Sequence, residues 1–157
     1  PPPASSESNQ IKMVDVADPA LLSAYEDVRS DKTETNWAVF GYDDSGKKLQ
    51  LNATGSGGIA ELVASLRDDA VQYGFIAVTT GDSESIRKKF VFISWGGPSA
   101  SVMKKAKISV HKADVKKVVR DFAVEIHGTE RADFDEETVM KTVRKAGGAD
   151  YGTGHRD

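Results

Sequence analysis

Three histidines, His111, His127 and His155, and several paired acids are the groups in this chain that could move a proton or hold a metal. The histidines have no metal-ligand spacing and stand among polar or terminal residues, so they read as structural or exposed side chains. Paired-carboxylate chemistry needs two acids in one cleft with pKa values pushed apart. Asp43-Asp44, Asp68-Asp69 and Asp135-Glu136-Glu137 fall instead in a predicted turn, at a helix end and at a helix start, where acids serve as solvated turn or cap residues. The G-x-S-x-G, H-E-x-x-H and P-loop lysine patterns are missing, so an activated serine, a zinc-bound water and a phosphate cradle all lack their parts. The sequence predicts no enzyme, no metal and no cofactor.

One motif fits a cofactor in its local context. Gly55-Ser-Gly57-Gly-Ile-Ala60 matches G-x-G-x-x-A after a predicted strand and at the opening of a predicted helix. Its strand, however, alternates Leu49, Leu51 and Ala53 with polar residues and belongs to a hairpin. A dinucleotide fold begins on a fully buried parallel strand and repeats its β-α units. Nucleotide binding is disfavoured for that reason.

Charge carries more information. The chain has 157 residues, 21 Lys+Arg against 24 Asp+Glu, and a formal charge of -3. The average conceals a polarity: Arg87 to Arg120 holds ten basic residues and one acid, Asp114, a charge of +9, while the remainder carries -12. Such a split offers an electropositive face to an acidic partner and suppresses indiscriminate sticking by the whole molecule. Nucleic acid is disfavoured as that partner, because the nearby aromatics Phe90, Phe92 and Trp95 follow a core-strand pattern and are not interleaved for base stacking. The absence of cysteine suits a reducing compartment. With no membrane-length apolar run and no signal-peptide core, the expectation is a cytosolic monomer without a membrane partner.

The elements that must position these charges follow from periodicity. Asp18-Pro19 opens a helix to about Ser30. Asn36 to Tyr42 and Lys48 to Thr54 form a hairpin around Asp43-Asp44-Ser45-Gly46. Ile59, Leu62, Val63, Leu66 and Ala70 mark an amphipathic helix. Phe75 to Thr80 and Phe90 to Trp95, apolar on both faces, belong at the centre of a sheet. Ser99 to Lys117 reads as one long helix that buries Met103, Ala106, Val110 and Ala113, shows Lys105, Lys112 and Lys116, and has a weak point at Ser109-Val110-His111. Phe122, Val124 and Ile126 form a last strand. Asp133 to Glu136 caps a final helix carrying Val139, Val143 and Ala146, ended by Gly147-Gly148. The order α-β-β-α-β-β-α-β-α implies an α/β chain of the α+β type, a mixed sheet between helices.

Four segments are specific in combination: Trp37-Ala-Val-Phe-Gly-Tyr-Asp43, Thr79-Thr-Gly-Asp82, Arg87-Lys-Lys-Phe-Val-Phe-Ile-Ser-Trp95 and Arg144-Lys-Ala-Gly-Gly-Ala-Asp-Tyr151. They resemble the coactosins, of the actin-depolymerising-factor homology (ADF-H) superfamily. The resemblance implies a five- or six-stranded mixed sheet packed between helices. It implies one ADF-H domain over 13–151; the Pro/Ser-rich composition of 1–12 reads as a disordered tail or expression remnant, and 152–157 is expected as a flexible tail. It implies binding along filamentous actin on the cytoplasmic actin cytoskeleton, without severing and with interference in barbed-end capping. An actin-depolymerising or monomer-binding factor is the alternative within the superfamily. By motif, Lys89 and Lys145 carry over as actin-binding residues, flanked by Arg87 and Lys88; Lys104 and Lys105 fall where the wider superfamily contacts actin. The chain departs from the family pattern at Gly41, where a longer polar side chain is usual, and at Asp150, which adds a negative charge five residues from Lys145.

Overall fold

The computed structural model describes residues 13–81 and 86–147. The expected tails, Gly148, Asp150, Tyr151, His155 and the end of the T-T-G-D motif at Asp82 lie outside the described residues. Helix α1 (Pro19–Arg29) begins as its sequence predicts: Asp18 accepts a hydrogen bond from the Ala20 N–H at 3.0 Å, and Pro19 takes the first helical position. Leu21, Ala24, Tyr25 and Val28 form its buried stripe.

Strands β1 (Trp37–Tyr42) and β2 (Leu49–Gly55) pair antiparallel. In the turn between them Gly46 takes φ of 73°, a conformation that disfavours a side chain. Asp43 closes that turn by accepting from the Ser45 hydroxyl and from the Ser45 and Gly46 N–H groups, which holds its carboxyl below the usual range. A register shift between Val39 and Phe40 leaves Asn52 as the extra residue of β2. Its amide oxygen accepts from Gln72 Nε2 at 2.9 Å and occupies the space that a Cβ on Gly41 would take. A bulge residue from β2 thus fills the space beside Gly41.

Helix α2 (Gly58–Ala64) is shorter than the expected run to Ala70. Ser65 Oγ donates to the Leu62 carbonyl, and the Leu66 N–H reaches back to Val63, so the last turn tightens and stops; Leu66 is buried outside the helix. Strands β3 (Val71–Gly81) and β4 (Ile86–Gly96) each exceed their apolar cores in length. With β5 (Val124–Gly128) they complete a five-stranded sheet in the order β2-β1-β3-β4-β5, antiparallel except for the parallel β4–β5 pair. Phe122 precedes the last strand rather than belonging to it. A parallel pair needs a crossover, here made by α3 (Val102–Ala106) and α4 (Ile108–Val115). A 3-10 turn (Arg131–Phe134) and α5 (Glu136–Ala146) finish the described chain.

The sheet separates two cores. On one face Phe40, Tyr73, Phe75 and Phe92 meet α1 and α4; on the other Trp37, Val39, Ile76, Ile93 and Trp95 meet α2, α5 and Phe134. The crossover corrects the helical wheel read from the sequence. Its interruption falls at Lys107, not at Ser109-Val110-His111, and Met103, Ala106 and Ala113 are exposed while Val110 is only half-buried. The buried positions of α4 are Ile108, His111, Asp114 and Val115. Two polar groups occupy core positions because both are satisfied. Tyr42 Oη lies 2.7 Å from His111 Nδ1 and 2.8 Å from Tyr73 Oη, and Asp114 Oδ2 accepts from the Val14 N–H at 3.0 Å. Burial pushes the Tyr42 phenol up to about 12, with the Asp114 charge adding to the rise, so its hydroxyl keeps its proton.

Candidate functional site

Beyond their neighbours in the sheet, β3 and β4 continue as a two-stranded arm. Support from β1 ends where the Ala77 N–H bonds to the Asn36 carbonyl, and support toward β5 ends where the Ala123 N–H bonds to the Phe90 carbonyl. Val78 to Gly81 pair with Ile86 to Lys89 and with no other strand among the described residues. Arg87, Lys88 and Lys89 all lie on this arm.

Alternation along β4 sends the two lysines to opposite faces. Lys88 shares the face of Phe90 and Phe92. Its ammonium donates to the Ser30 carbonyl at 3.2 Å and pairs with Asp31 at 3.4 Å. Lys89 shares the face of Val91 and Ile93, the side of α2 and α5, and has no ion pair among the described residues. Lys145 lies on that side too, in the last turn of α5, where Val139 and Val143 are buried and Lys145 is exposed. Acids in the first turn of α5 and Arg144 and Lys145 in the last suit the helix dipole.

Lys104 and Lys105 sit at the other end of the sheet. Helix α3 leaves the Gly96 end of β4, the Lys105 stem lies against Gly96, and Ser101 Oγ caps the helix by accepting from the Lys104 N–H at 3.1 Å. From Lys89 to Gly96 the strand covers about 23 Å at the usual rise per residue. The six predicted residues therefore occupy three places: the arm, α3, and the end of α5. Val102 and Met103, 83% and 72% exposed, add an apolar surface beside Lys104, although helical spacing predicts Met103 in the core.

The +9 segment is not one free face. Lys112 and Lys116 both pair with Glu125 of β5, at 2.7 and 2.8 Å, Lys117 pairs with Asp114, and Lys88 with Asp31. Counting charge along the segment could not reveal this, because Glu125 and Asp31 lie outside it. Burial raises the Glu125 pKa, but the hydrogen bonds and charges of Lys112 and Lys116 outweigh it and hold the carboxyl below its ordinary value. A carboxyl depressed in the folded state stabilises above its unfolded pKa of about 4.3, and that contribution disappears as pH falls through the lower folded value. Glu125→Gln is accordingly expected to lose about 1 kcal/mol at pH 7 by urea denaturation. The gap to wild type should narrow as pH falls below about 4; a gap that stays constant on acidification would refute the ion-pair origin.

Two arrangements imitate catalytic or cofactor chemistry. Ser94 Oγ lies 2.8 Å from His127 Nδ1, but Ser94 is fully buried, so no substrate can reach the hydroxyl. Burial and the nearby Lys112 charge lower the His127 pKa. At the glycine turn, Glu61 Oε1 accepts from the Gly57 N–H at 3.0 Å and from Trp37 Nε1 at 2.8 Å, bonds that lower its pKa. The chain's own carboxylate fills the position where a dinucleotide phosphate would need the turn N–H groups. Among the described residues no cluster of three potential metal ligands exists, and no helix is long and apolar enough to cross a membrane.

A model of cofilin/tropomyosin-type actin-binding proteins matches residues 13–144. Coactosin of Dictyostelium discoideum is 44% identical over 140 residues, covering 88% of this chain and 95% of that protein. The crystal structure of coactosin from Entamoeba histolytica has a TM-score of 0.79 at 34% identity, over 85% of this chain and 96% of that one. Human coactosin-like protein has a TM-score of 0.78 at 30% identity, over 84% and 98%. The family model and these relatives span the sheet, both cores and the arm, and the chain belongs to the cofilin/tropomyosin-type actin-binding family, within its coactosin group.

Proposed function

We propose that this chain is an actin-binding protein of the coactosin type that decorates the sides of filaments as a monomer in the cytoplasm, without severing them, and counteracts barbed-end capping. The observation that carries the reading is the separation of the basic groups. Arg87 and Lys89 on the arm, Lys145 on α5, and Lys104 and Lys105 on α3 have no ion pair among the described residues, and the arm and α3 stand at opposite ends of β4. Two such groups suit an extended acidic surface better than a single small patch. Flexible lysines at such positions add on-rate and register more than affinity.

Cosedimentation with actin filaments across a salt series tests this: the chain is expected to pellet at low salt and progressively less as salt rises. Failure to pellet at low salt would remove the reading. The exposed Val102–Met103 surface beside Lys104 favours the second reading, monomer binding or depolymerisation. A pyrene-actin assay showing accelerated filament loss would select it. Binding to nucleic acid or another polyanion is the remote alternative.

A further inference from the structure

We propose that the C-terminal end of α1 is a brace for the basic arm, with Arg29, Asp31 and Lys88 acting as positioning residues that fix how Lys89 is presented. Its consequence for binding rests on the filament reading above; the brace itself does not. A two-stranded ribbon paired to nothing else has little stability or direction of its own. On the α5 side, the base of the arm borders an open groove of about 370 Å³ whose walls include Val78, Thr79, Glu136, Val139 and Met140. Of the described arm residues, only Val78, at the base, packs against the core on that side.

The other side is occupied. The Arg29 guanidinium lies 4.5 Å from the centre of the Phe90 ring, at the foot of the arm, and the Lys88 ammonium lies 5.8 Å from the same ring. Phe90 stacks on Phe75 at 5.4 Å with an interplanar angle of 10°, which ties it to the central strand. Arg29 is itself held by the Asp121 carboxylate at 3.4 Å and carbonyl at 3.2 Å. Lys88 reaches back to Ser30 and Asp31. The receiving end is firm, since the Ser30 N–H bonds to the Glu26 and Asp27 carbonyls and Thr33 Oγ1 donates to the Asp27 carbonyl at 2.7 Å. Adjacent lysines thus have different roles: Lys88 anchors the arm to α1, and Lys89 faces the partner.

Hydrogen exchange in the free protein and filament pelleting test the two halves separately. In Asp31→Asn and Lys88→Met, amides of 78–81 and 86–89 are expected to exchange about three-fold faster than in wild type, and Lys88→Arg is expected to restore protection. The same two variants should bind filaments about three-fold more weakly, with Lys88→Arg near wild type. Asp31→Asn has the decisive sign. It keeps every basic residue and removes an acid beside them, so a Lys88 that met acidic actin directly would give tighter binding. Unchanged arm exchange overturns the brace; faster exchange with unchanged or tighter binding overturns its positioning role. If the wild type itself does not pellet, the filament reading fails and exchange alone still decides the brace.

Discussion

Lys89→Ala/Lys145→Ala is expected to bind actin filaments about ten-fold more weakly than wild type at low salt, each lysine contributing about 0.7 kcal/mol as a partly hydrated contact. Both side chains lie on the α2/α5 side of the sheet, one on the arm and one in the last turn of α5. Neither holds an ion pair among the described residues, so their removal leaves no buried charge behind. The loss should shrink as salt screens the remaining basic groups. The melting midpoint should stay within about 2 °C of wild type, because surface substitutions seldom exceed about 0.5 kcal/mol. Filament pelleting with paired thermal melts separates the outcomes: unchanged affinity would dismiss this pair as the contact, and a large fall in midpoint would reassign the effect to folding.

The largest stability effect is expected at Gly97→Ala, about 3 kcal/mol and a drop of roughly 6–12 °C in the melting midpoint. A Cβ at Gly97 would overlap the Asp68 carbonyl, which is backbone and cannot swing aside. The two segments are bound face to face: the Gly97 N–H donates to Ala70 at 2.9 Å and the Ser99 N–H to Asp68 at 2.8 Å. Trp95 Nε1 donates to the Arg67 carbonyl at 2.7 Å, and Arg131 donates to Leu66 at the same distance. Separating the loop from β4 to admit one methyl group would strain all four bonds. Gly96→Ala is the control, since its Cβ would come no nearer than 3.3 Å, to Ile108 Cδ1, and the helix can give. Urea denaturation of both variants checks the contrast; equal stabilities would show that the loop adjusts freely.

The sequence revealed what is encoded locally. Asp18-Pro19 marks a helix start, and Asp43-Asp44-Ser45-Gly46 marks a tight turn, because their partners lie within a few residues. The α4 core stripe was hidden for the opposite reason. His111 and Asp114 look like surface residues until partners 69 and 100 residues away in the chain satisfy them. The basic groups show the same division. Motif order singles out Lys89 and Lys145 as candidates, and alternation along a strand separates Lys88 from Lys89. That α1 occupies the Lys88 face, with Asp31 lying 57 residues away, is tertiary information. So is Glu125, which pairs with two lysines that a linear count left free.

The arm gives the chain an unusual freedom of length. Apart from Val78, which packs against the second core, Val78 to Gly81 and Ile86 to Lys89 belong to neither main core. Two residues added to each of the two strands would lengthen its reach while keeping which side chain faces which way. One residue inserted between Lys89 and Phe90 would do the reverse, exchanging the faces of Lys88 and Lys89 while leaving composition and net charge almost unchanged. Parity along β4 thus decides which of the two lysines shares the face of α5 and which the face of α1.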